Sequence, residues 1–322
     1  MSRTPFFVRR VLARCSYLLP LSIRRRMIVI STYPLGQEVK SWVHEISKET
    51  WKGVWIAPKL KDIRQAEENA PEQDLILLYI HGGGFTEGYS FMYMETFQAV
   101  INKLNDEHNI RASIMSLEYS LSPEHKWPTA CREAVECYRY LIHDLGISPY
   151  KVILAGDSAG GNLVATTLLQ LKDMKTRKES DLPPLPLPAG AALLSPWVDL
   201  TVQEYPIARD TLTGRLLEIF KAAYVTETRH LQNPLVSPVY GDFSRIQCPI
   251  FVAYGSQEIL KPSIEMFISK LIKSNCNTTV LRGDENTTHI WLVCSLMASS
   301  KTVYQSDCDA FIAWIAATAS TK

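Results

Sequence analysis

Residues 151–169 read KVILAGDSAGGNLVATTLL, and this stretch decides the fold. The part before Gly156 is apolar and rich in β-branched residues, which predicts a buried strand, and the part after Gly160 has the pattern of a helix. A G-x-S-x-G turn between a strand and a helix is a nucleophile elbow, which holds its serine in a strained backbone conformation with the hydroxyl facing the substrate. The stretch therefore predicts that Ser158 is a nucleophile.

A glycine-rich loop follows a second apolar run. Residues 75–85 read LILLYIHGGGF, a buried-strand pattern that ends in a histidine and three glycines. Acyl transfer needs backbone N–H groups aimed at the oxyanion of the tetrahedral intermediate. A loop of this type supplies one half of the oxyanion hole in α/β-hydrolases, and the N–H after the nucleophile supplies the other. The predicted oxyanion-hole residues are Gly82, Gly83, Gly84 and Ala159.

The nucleophile needs a base, which in this fold comes last in the order serine, acid, histidine. His230 and His289 are the histidines that follow Ser158. His230 lies in weakly patterned sequence. His289 lies on a loop after the strand-like run 278–281, where this fold presents its base, so we expect His289 to be the base.

The acid is expected on the loop after the strand that precedes the histidine loop. That strand is the apolar run 249–255, and Glu258 is the one carboxylate on the loop 256–260. Asp284 and Glu285, on the histidine loop itself, remain the alternatives. The sequence thus predicts a triad of Ser158, Glu258 and His289.

Several ordered motifs resemble the hormone-sensitive-lipase family of α/β-hydrolases, and the glutamate and the His-x-Trp ending resemble fungal esterases of the steryl acetyl hydrolase type. They are HGGGF at 81–85, EYSLSPEHKWP at 118–128, GDSAGGN at 156–162, LSPWVDL at 194–200, GSQEIL at 255–260 and HIW at 289–291.

The resemblance implies hydrolysis of carboxylic esters by a serine triad, with no metal and no cofactor. It also implies supporting roles for His81, which braces the glycine loop, and for Asp157. Two positions depart from the family's pattern: Ser120 replaces an arginine, and Lys261-Pro262 replaces a second acidic residue after the acid loop. Both departures put the support of the site in question without removing a triad member.

Composition sets the class of protein. The chain has 322 residues, of which 46% are hydrophobic and 21% are charged, so one large core is expected. We predict a single α/β-hydrolase domain over 1–322. The net charge of +1 argues against a nucleic-acid partner. The cysteines number seven in a long chain, an odd count that disfavours a disulfide framework, and none has the C-x-x-C spacing of a metal site.

Strand and helix patterns alternate along the chain, which predicts a mostly parallel eight-stranded sheet with helices on both faces. The first two strands alternate apolar and polar residues and are expected to form an antiparallel hairpin at one edge. Strands are predicted at 39–46, 51–57, 74–80, 112–117, 151–155, 189–194, 249–254 and 277–282, and helices at 91–107, 129–144, 159–171, 262–274 and 301–317.

Two segments lie outside this alternation and are predicted to form a helical cap, 1–36 and 200–240. Residues 1–36 contain seven arginines and no acidic residue. Three interpretations stay open for them: a cap over the site, an amphipathic segment at a membrane surface, and a transit peptide. In the cap interpretation the arginines face outward, and Phe6, Phe7, Leu18 and Leu19 face the pocket.

The predicted function is a serine carboxylesterase, including the narrower case of a deacetylase, that acts on a lipophilic small-molecule ester through an acyl-serine. A cyclase, lyase or condensation enzyme on the same fold is one alternative, and a non-catalytic small-molecule receptor is another. The expected location is intracellular, either cytoplasmic or at an endomembrane surface, because the glycosylation sequon at Asn286 lies too close to His289 to be used. Peripheral membrane contact through the N-terminus is left open, as is the oligomeric state.

Overall fold

The strands of the computed structural model form one sheet. The model describes residues 11, 14–33, 41–176 and 184–320. The strand order across the sheet is β1-β2-β4-β3-β5-β6-β7-β8. In chain order the strands are β1 (Val43–Ser47), β2 (Lys52–Ile56), β3 (Leu75–Ile80), β4 (Ala112–Glu118), β5 (Val152–Asp157), β6 (Gly190–Leu194), β7 (Ile250–Tyr254) and β8 (Thr278–Arg282).

The pairing confirms the predicted sheet. β1 and β2 form an antiparallel hairpin at one edge, and β2 also pairs antiparallel with β4. All further pairs, from β4 through β3, β5, β6 and β7 to β8, are parallel. The inner strands β3 and β5 are buried along their whole length, which explains why they read as continuous apolar runs. Because these strands are parallel, the loops that follow β5, β6, β7 and β8 leave the same end of the sheet.

Helices cover both faces of the sheet, as predicted. They are α1 (Leu21–Thr32), α2 (Ile63–Asn69), α3 (Met94–His108), α4 (Thr129–Arg139), α5 (Ala159–Thr176), α6 (Gly214–Tyr224), α7 (Lys261–Lys273) and α8 (Lys301–Ser320). Residues of α4, α5, α6 and α7 belong to one hydrophobic core, and residues of α3 and α8 belong to a second core on the other face.

Two of these helices lie in the segments predicted to form the cap. Helix α1 lies within 1–36 and α6 lies within 200–240. Residues 1–10, 12–13 and 34–36 of the predicted cap, with Phe6 and Phe7 among them, lie outside the described residues. None of the helices described is long and apolar enough to cross a bilayer.

Candidate active site

Ser158 occupies the sharp turn between β5 and α5. Its backbone is left-handed, with φ of 52°, a conformation that non-glycine residues adopt rarely and at a cost. Its N–H donates to the Leu194 carbonyl at 2.9 Å. A Cβ on Gly160 would lie 1.9 Å from the Ile80 carbonyl, so only glycine allows α5 to start this close to β3. The local geometry is that of an elbow, which projects the serine side chain from the carboxyl end of the sheet.

Glu258 and His289 meet at the same end of the sheet. The Nδ1 atom of His289 lies 2.7 Å from Glu258 Oε1, and both side chains are almost fully buried. A carboxylate that accepts from Nδ1 fixes the imidazole tautomer and leaves Nε2 free to take a proton. The structure therefore gives His289 the arrangement of a general base. The two other candidate acids, Asp284 and Glu285, differ from Glu258 because their side chains are exposed.

Ser195, a residue of the LSPWVDL motif that was not predicted as a site residue, also contacts this pair. It follows β6 directly, and its Oγ donates to Glu258 Oε2 at 3.0 Å. The same Oγ accepts the N–H of Ile290 at 3.2 Å. Ser195 thus connects the acid to the residue after His289. Its position as the first residue after a predicted parallel strand is the sequence feature that could have identified it as a site residue.

The charges around the pair shift the two pKa values. Burial raises the pKa of Glu258, against the opposing effect of His289. Burial lowers the pKa of His289, but the Glu258 carboxylate, its hydrogen bond and the charges of Asp210 and Asp157 outweigh this effect and raise the pKa above the ordinary value for histidine. Glu258 Oε2 also accepts the N–H of Gly255 at 2.8 Å, which holds the carboxylate in place.

The glycine loop after β3 presents free N–H groups, with one correction to the prediction. Gly83 and Gly84 have φ of 104° and 58°, which glycine adopts without strain. No acceptor for either N–H occurs among the described residues. The N–H of Gly82, in contrast, donates to Asp157 Oδ1 at 2.9 Å. Gly82 is therefore wrong as a predicted oxyanion donor, since its hydrogen is already committed. Ala159 is the first residue of α5, so its N–H has no partner within that helix.

Asp157 holds the base of the glycine loop. Besides the N–H of Gly82, its carboxylate accepts the hydroxyls of Tyr79 at 2.7 Å and Tyr93 at 2.9 Å. Burial raises its pKa, and the two tyrosine hydrogen bonds oppose the shift. These contacts connect the residue before Ser158 to the loop that carries Gly83, so the elbow and the loop are held as one unit.

His81 lies under the glycine loop and is fully buried. Its ring stacks on Tyr119 with centroids 4.3 Å apart, and Nδ1 lies 2.8 Å from the Gly82 carbonyl. Burial lowers its pKa, which favours the neutral ring. The contacts are those of a brace, and the role that the resemblance implied stays a prediction.

The N-terminal segment binds the site through arginines that point inward. Arg24 Nε lies 3.2 Å from Glu87 Oε2, and both side chains are buried. Arg25 donates to the Thr86 carbonyl at 2.7 Å. It also forms a bidentate ion pair with Glu124, in which Nη1 donates to Oε1 and Nη2 donates to Oε2, each at 2.8 Å. The expectation that the arginines face outward is wrong for these two residues. The reason is that Glu87 and the carbonyl of Thr86 follow the glycine loop and need donors once α1 covers them.

The apolar side chains of the same segment point the other way. Leu18 is 79% exposed and Leu19 is 37% exposed, so neither has the pocket-facing position that we expected. Tyr17 instead turns inward, with Arg24 lying 5.8 Å from its ring centroid.

Aromatic residues from the second cap segment cover the glycine loop. The Phe220 ring of α6 packs on Gly84 so closely that a Cβ there would lie 2.2 Å from the ring. Tyr224 stacks on Phe85 with centroids 3.7 Å apart. Ser158 is only 6% exposed. Helices α1 and α6 therefore enclose the glycine loop from two sides.

Comparisons with known proteins agree with this fold. A family model described as the alpha/beta hydrolase fold matches residues 77–293. An acetyl-hydrolase of Streptomyces hygroscopicus is 31% identical over 74% of this chain and 71% of its own length. A putative steryl acetyl hydrolase of Schizosaccharomyces pombe is 28% identical over 69% of this chain and 60% of its own length. A hormone-sensitive lipase from a metagenome library has a similar fold, with a TM-score of 0.77 and 23% identity over 99% of this chain and 100% of its own.

Proposed function

Because the chain belongs to the alpha/beta hydrolase fold family, we propose that it is a serine carboxylesterase that uses Ser158, Glu258 and His289. The observation that carries the proposal is the 2.7 Å contact between His289 Nδ1 and Glu258 Oε1 at the end of the sheet where Ser158 sits in its elbow. The relatives named above as acetyl-hydrolases support the reaction class.

The mechanism follows from the roles of these groups. Nε2 of His289 takes the proton of Ser158 Oγ as Oγ attacks the ester carbonyl, and the carbonyl oxygen becomes an oxyanion facing the N–H groups of Gly83, Gly84 and Ala159. His289 then gives its proton to the leaving alcohol. Water, deprotonated by the same nitrogen, attacks the acyl-serine, and the acid departs as Ser158 recovers its proton.

We propose a lipophilic small-molecule ester with a short acyl group as the substrate. Phe220 lies directly on the glycine loop, so little space is left beside Gly84 for a long acyl chain. The cover formed by Phe220 and by the stacked Phe85 and Tyr224 is apolar, which favours an apolar alcohol part. Residues 1–36 and 200–240 together would form the cap of a single domain.

A panel of chromogenic acetyl, butyryl and octanoyl esters tests the function. We expect turnover, fastest for acetyl, that falls by about 10⁴-fold or more in Ser158→Ala. Ser269→Ala, an exposed serine on α7, is the matched control and should keep full activity. Wild-type protein that binds these esters without hydrolysis would contradict the proposal and favour a receptor.

We further propose that α1 touches a membrane surface. A surface helix usually turns its apolar residues toward the protein and its charged residues toward solvent. In α1, by contrast, Arg24 is buried, while Ile23, Met27 and Ile30 are 44%, 43% and 78% exposed. Residues 23, 27 and 30 are spaced to share one helical face. An apolar stripe that faces away from the protein body suits contact with a second apolar environment.

Charge complementarity selects an anionic lipid surface as the occupant. Residues 1–36 contain seven arginines and no acidic residue. Of these, Arg24 and Arg25 pair with carboxylates, and the exposed Arg26 lies beside the stripe. Such a surface would deliver a lipophilic ester next to the cap, and it agrees with the expected endomembrane location.

Flotation with lipid vesicles tests the contact. We expect binding to vesicles of phosphatidylcholine with phosphatidylserine, weaker binding to phosphatidylcholine alone, and loss of both in Ile23→Ser/Met27→Ser/Ile30→Ser. Met266→Ser/Ile272→Ser removes two apolar residues of α7 that are 50% and 58% exposed, and this variant should bind as wild type does. Undiminished flotation of the triple variant would overturn the proposal. So would a dimer that the triple variant abolishes, because the stripe would then be an interface between copies.

A further inference from the structure

The carboxylate of Asp210 ties together the two loops that carry the predicted acid and base. Asp210 lies in the second cap segment and is fully buried. Its Oδ1 accepts the N–H of His289 at 3.0 Å and that of Thr211 at 2.7 Å. Its Oδ2 accepts the N–H of Ile259, the residue after Glu258, at 2.8 Å. One side chain thus holds the backbone of both catalytic loops.

These hydrogen bonds lie at the catalytic end of the two loops. The loops also meet farther away, where the N–H of Gln257 donates to the Thr287 carbonyl at 2.9 Å. That contact fixes their outer parts, but the backbone N–H of His289 itself is held by Asp210. The distance between the Glu258 and His289 side chains depends on the positions of the two loop backbones. A shift of either loop would therefore change that distance.

A carboxylate suits this position better than any neutral side chain. Three N–H groups point at two oxygens, and an amide in the same place would turn its NH2 group toward the N–H of Ile259 or His289. Burying a charge here is unfavourable, and three charge-assisted hydrogen bonds to the carboxylate offset this effect. Arg14 binds the backbone carbonyl of the same residue at 2.8 Å, so the N-terminal segment is attached to this point as well.

We propose that Asp210 is a positioning residue that sets the distance and orientation of His289 relative to Glu258. The proposal rests on the proposed esterase function. Asp210 does not contact the reacting atoms, and it acts through the backbone of the two loops. Its negative charge also faces the imidazole, together with those of Glu258 and Asp157, and all three raise the pKa of His289.

The test compares Asp210→Asn and Asp210→Glu with a matched control. Asp199→Asn is that control, because Asp199 is a buried aspartate just before the second cap segment whose Oδ1 accepts from the N–H and hydroxyl of Thr201 in its own turn. We would measure kcat, KM and the pH profile on acetyl esters, with the folded fraction taken from circular dichroism and thermal unfolding.

We expect Asp210→Asn to lower kcat by about tenfold to 10²-fold per folded molecule with little change in KM, and to shift the acid limb of the profile to lower pH. Asp210→Glu keeps the charge but moves the oxygens, so its acid limb should stay in place while kcat falls. It also keeps the proposal testable if the asparagine variant fails to fold.

Values of kcat per folded molecule equal to wild type in both variants would overturn the proposal, since the residue would then serve stability alone. A wild-type protein that never acylates Ser158 would instead overturn the proposed function, whatever the Asp210 variants do.

Discussion

Arg24 Nε and Glu87 Oε2 lie 3.2 Å apart, in an ion pair whose side chains are 6% and 4% exposed. Glu87 lies three residues after Gly84, and its N–H donates to the Gly83 carbonyl at 3.0 Å. The guanidinium of Arg24 also lies 5.6 Å from the ring centroid of Phe220, which itself rests on Gly84. The N-terminal helix is thereby connected to the predicted oxyanion hole through two routes.

The first prediction concerns this pair. Arg24→Met leaves the Glu87 carboxylate buried without a partner, so we expect a loss of about 3 to 5 kcal/mol in the free energy of unfolding and a lower kcat. Adding Glu87→Gln should restore part of both. Urea unfolding and ester kinetics measure the effects, and Arg26→Met, an exposed arginine on α1, is the control. A stable and fully active Arg24→Met would show that the pair supports neither the fold nor the loop.

The second prediction concerns Gly84. In Gly84→Ala the new methyl group collides with the Phe220 ring and strains a residue with φ of 58°, so the N–H at this position moves. Losing one oxyanion donor costs about 10² to 10³ in kcat. Gly146→Ala is the control, since its φ of 64° is similar but nothing lies within 4 Å of the added Cβ. Equal kcat values for the two variants would remove Gly84 from the predicted hole.

The third prediction concerns pH. His289 acts as a base only when neutral, so activity falls as pH drops below its pKa. Burial lowers that pKa, but the Glu258 carboxylate, its hydrogen bond and the charges of Asp210 and Asp157 together outweigh burial, and the net pKa lies above the ordinary one. Glu258→Gln removes the charge, so the acid limb of kcat/KM should shift to lower pH while kcat falls. Asp284→Asn and Glu285→Gln should leave the limb unchanged. If either of those moved it instead, the acid would be misassigned.

The sheet and the arrangement of the loops could be predicted because they follow from local patterns. The apolar runs before Ser158 and His81 are parallel strands buried on both faces, and the glycines beside them are required by close backbone contacts. The same logic led to Glu258, since a short loop after a strand leaves few candidates. The structure brings Glu258 and His289 into contact as that reasoning anticipated, while their roles in catalysis stay predictions.

The cap could not be predicted in the same way. In α1, Arg24 and Arg25 face the protein, whereas Ile23, Met27 and Ile30 face outward. A prediction based on hydrophobic patterning therefore places these residues on the wrong sides of the helix. Asp210 gave no signal, because an isolated aspartate in weakly patterned sequence is ordinary. Its contacts with Ile259 and His289 depend on loops that are 49 and 79 residues away in the chain. Gly82 was included for its place in a glycine run, although Asp157 already accepts its N–H.

The formation of an acyl-enzyme on Ser158 is tested most directly by rapid-quench mass spectrometry of the protein mixed with p-nitrophenyl acetate. We expect one acetyl group to appear on the peptide containing Ser158 within the first turnover and to disappear as product accumulates. His289→Ala should accumulate no such adduct, and Ser269 should never be acetylated. Ester hydrolysis without an acyl group on Ser158, or with one on another residue, would show that Ser158 is not the nucleophile.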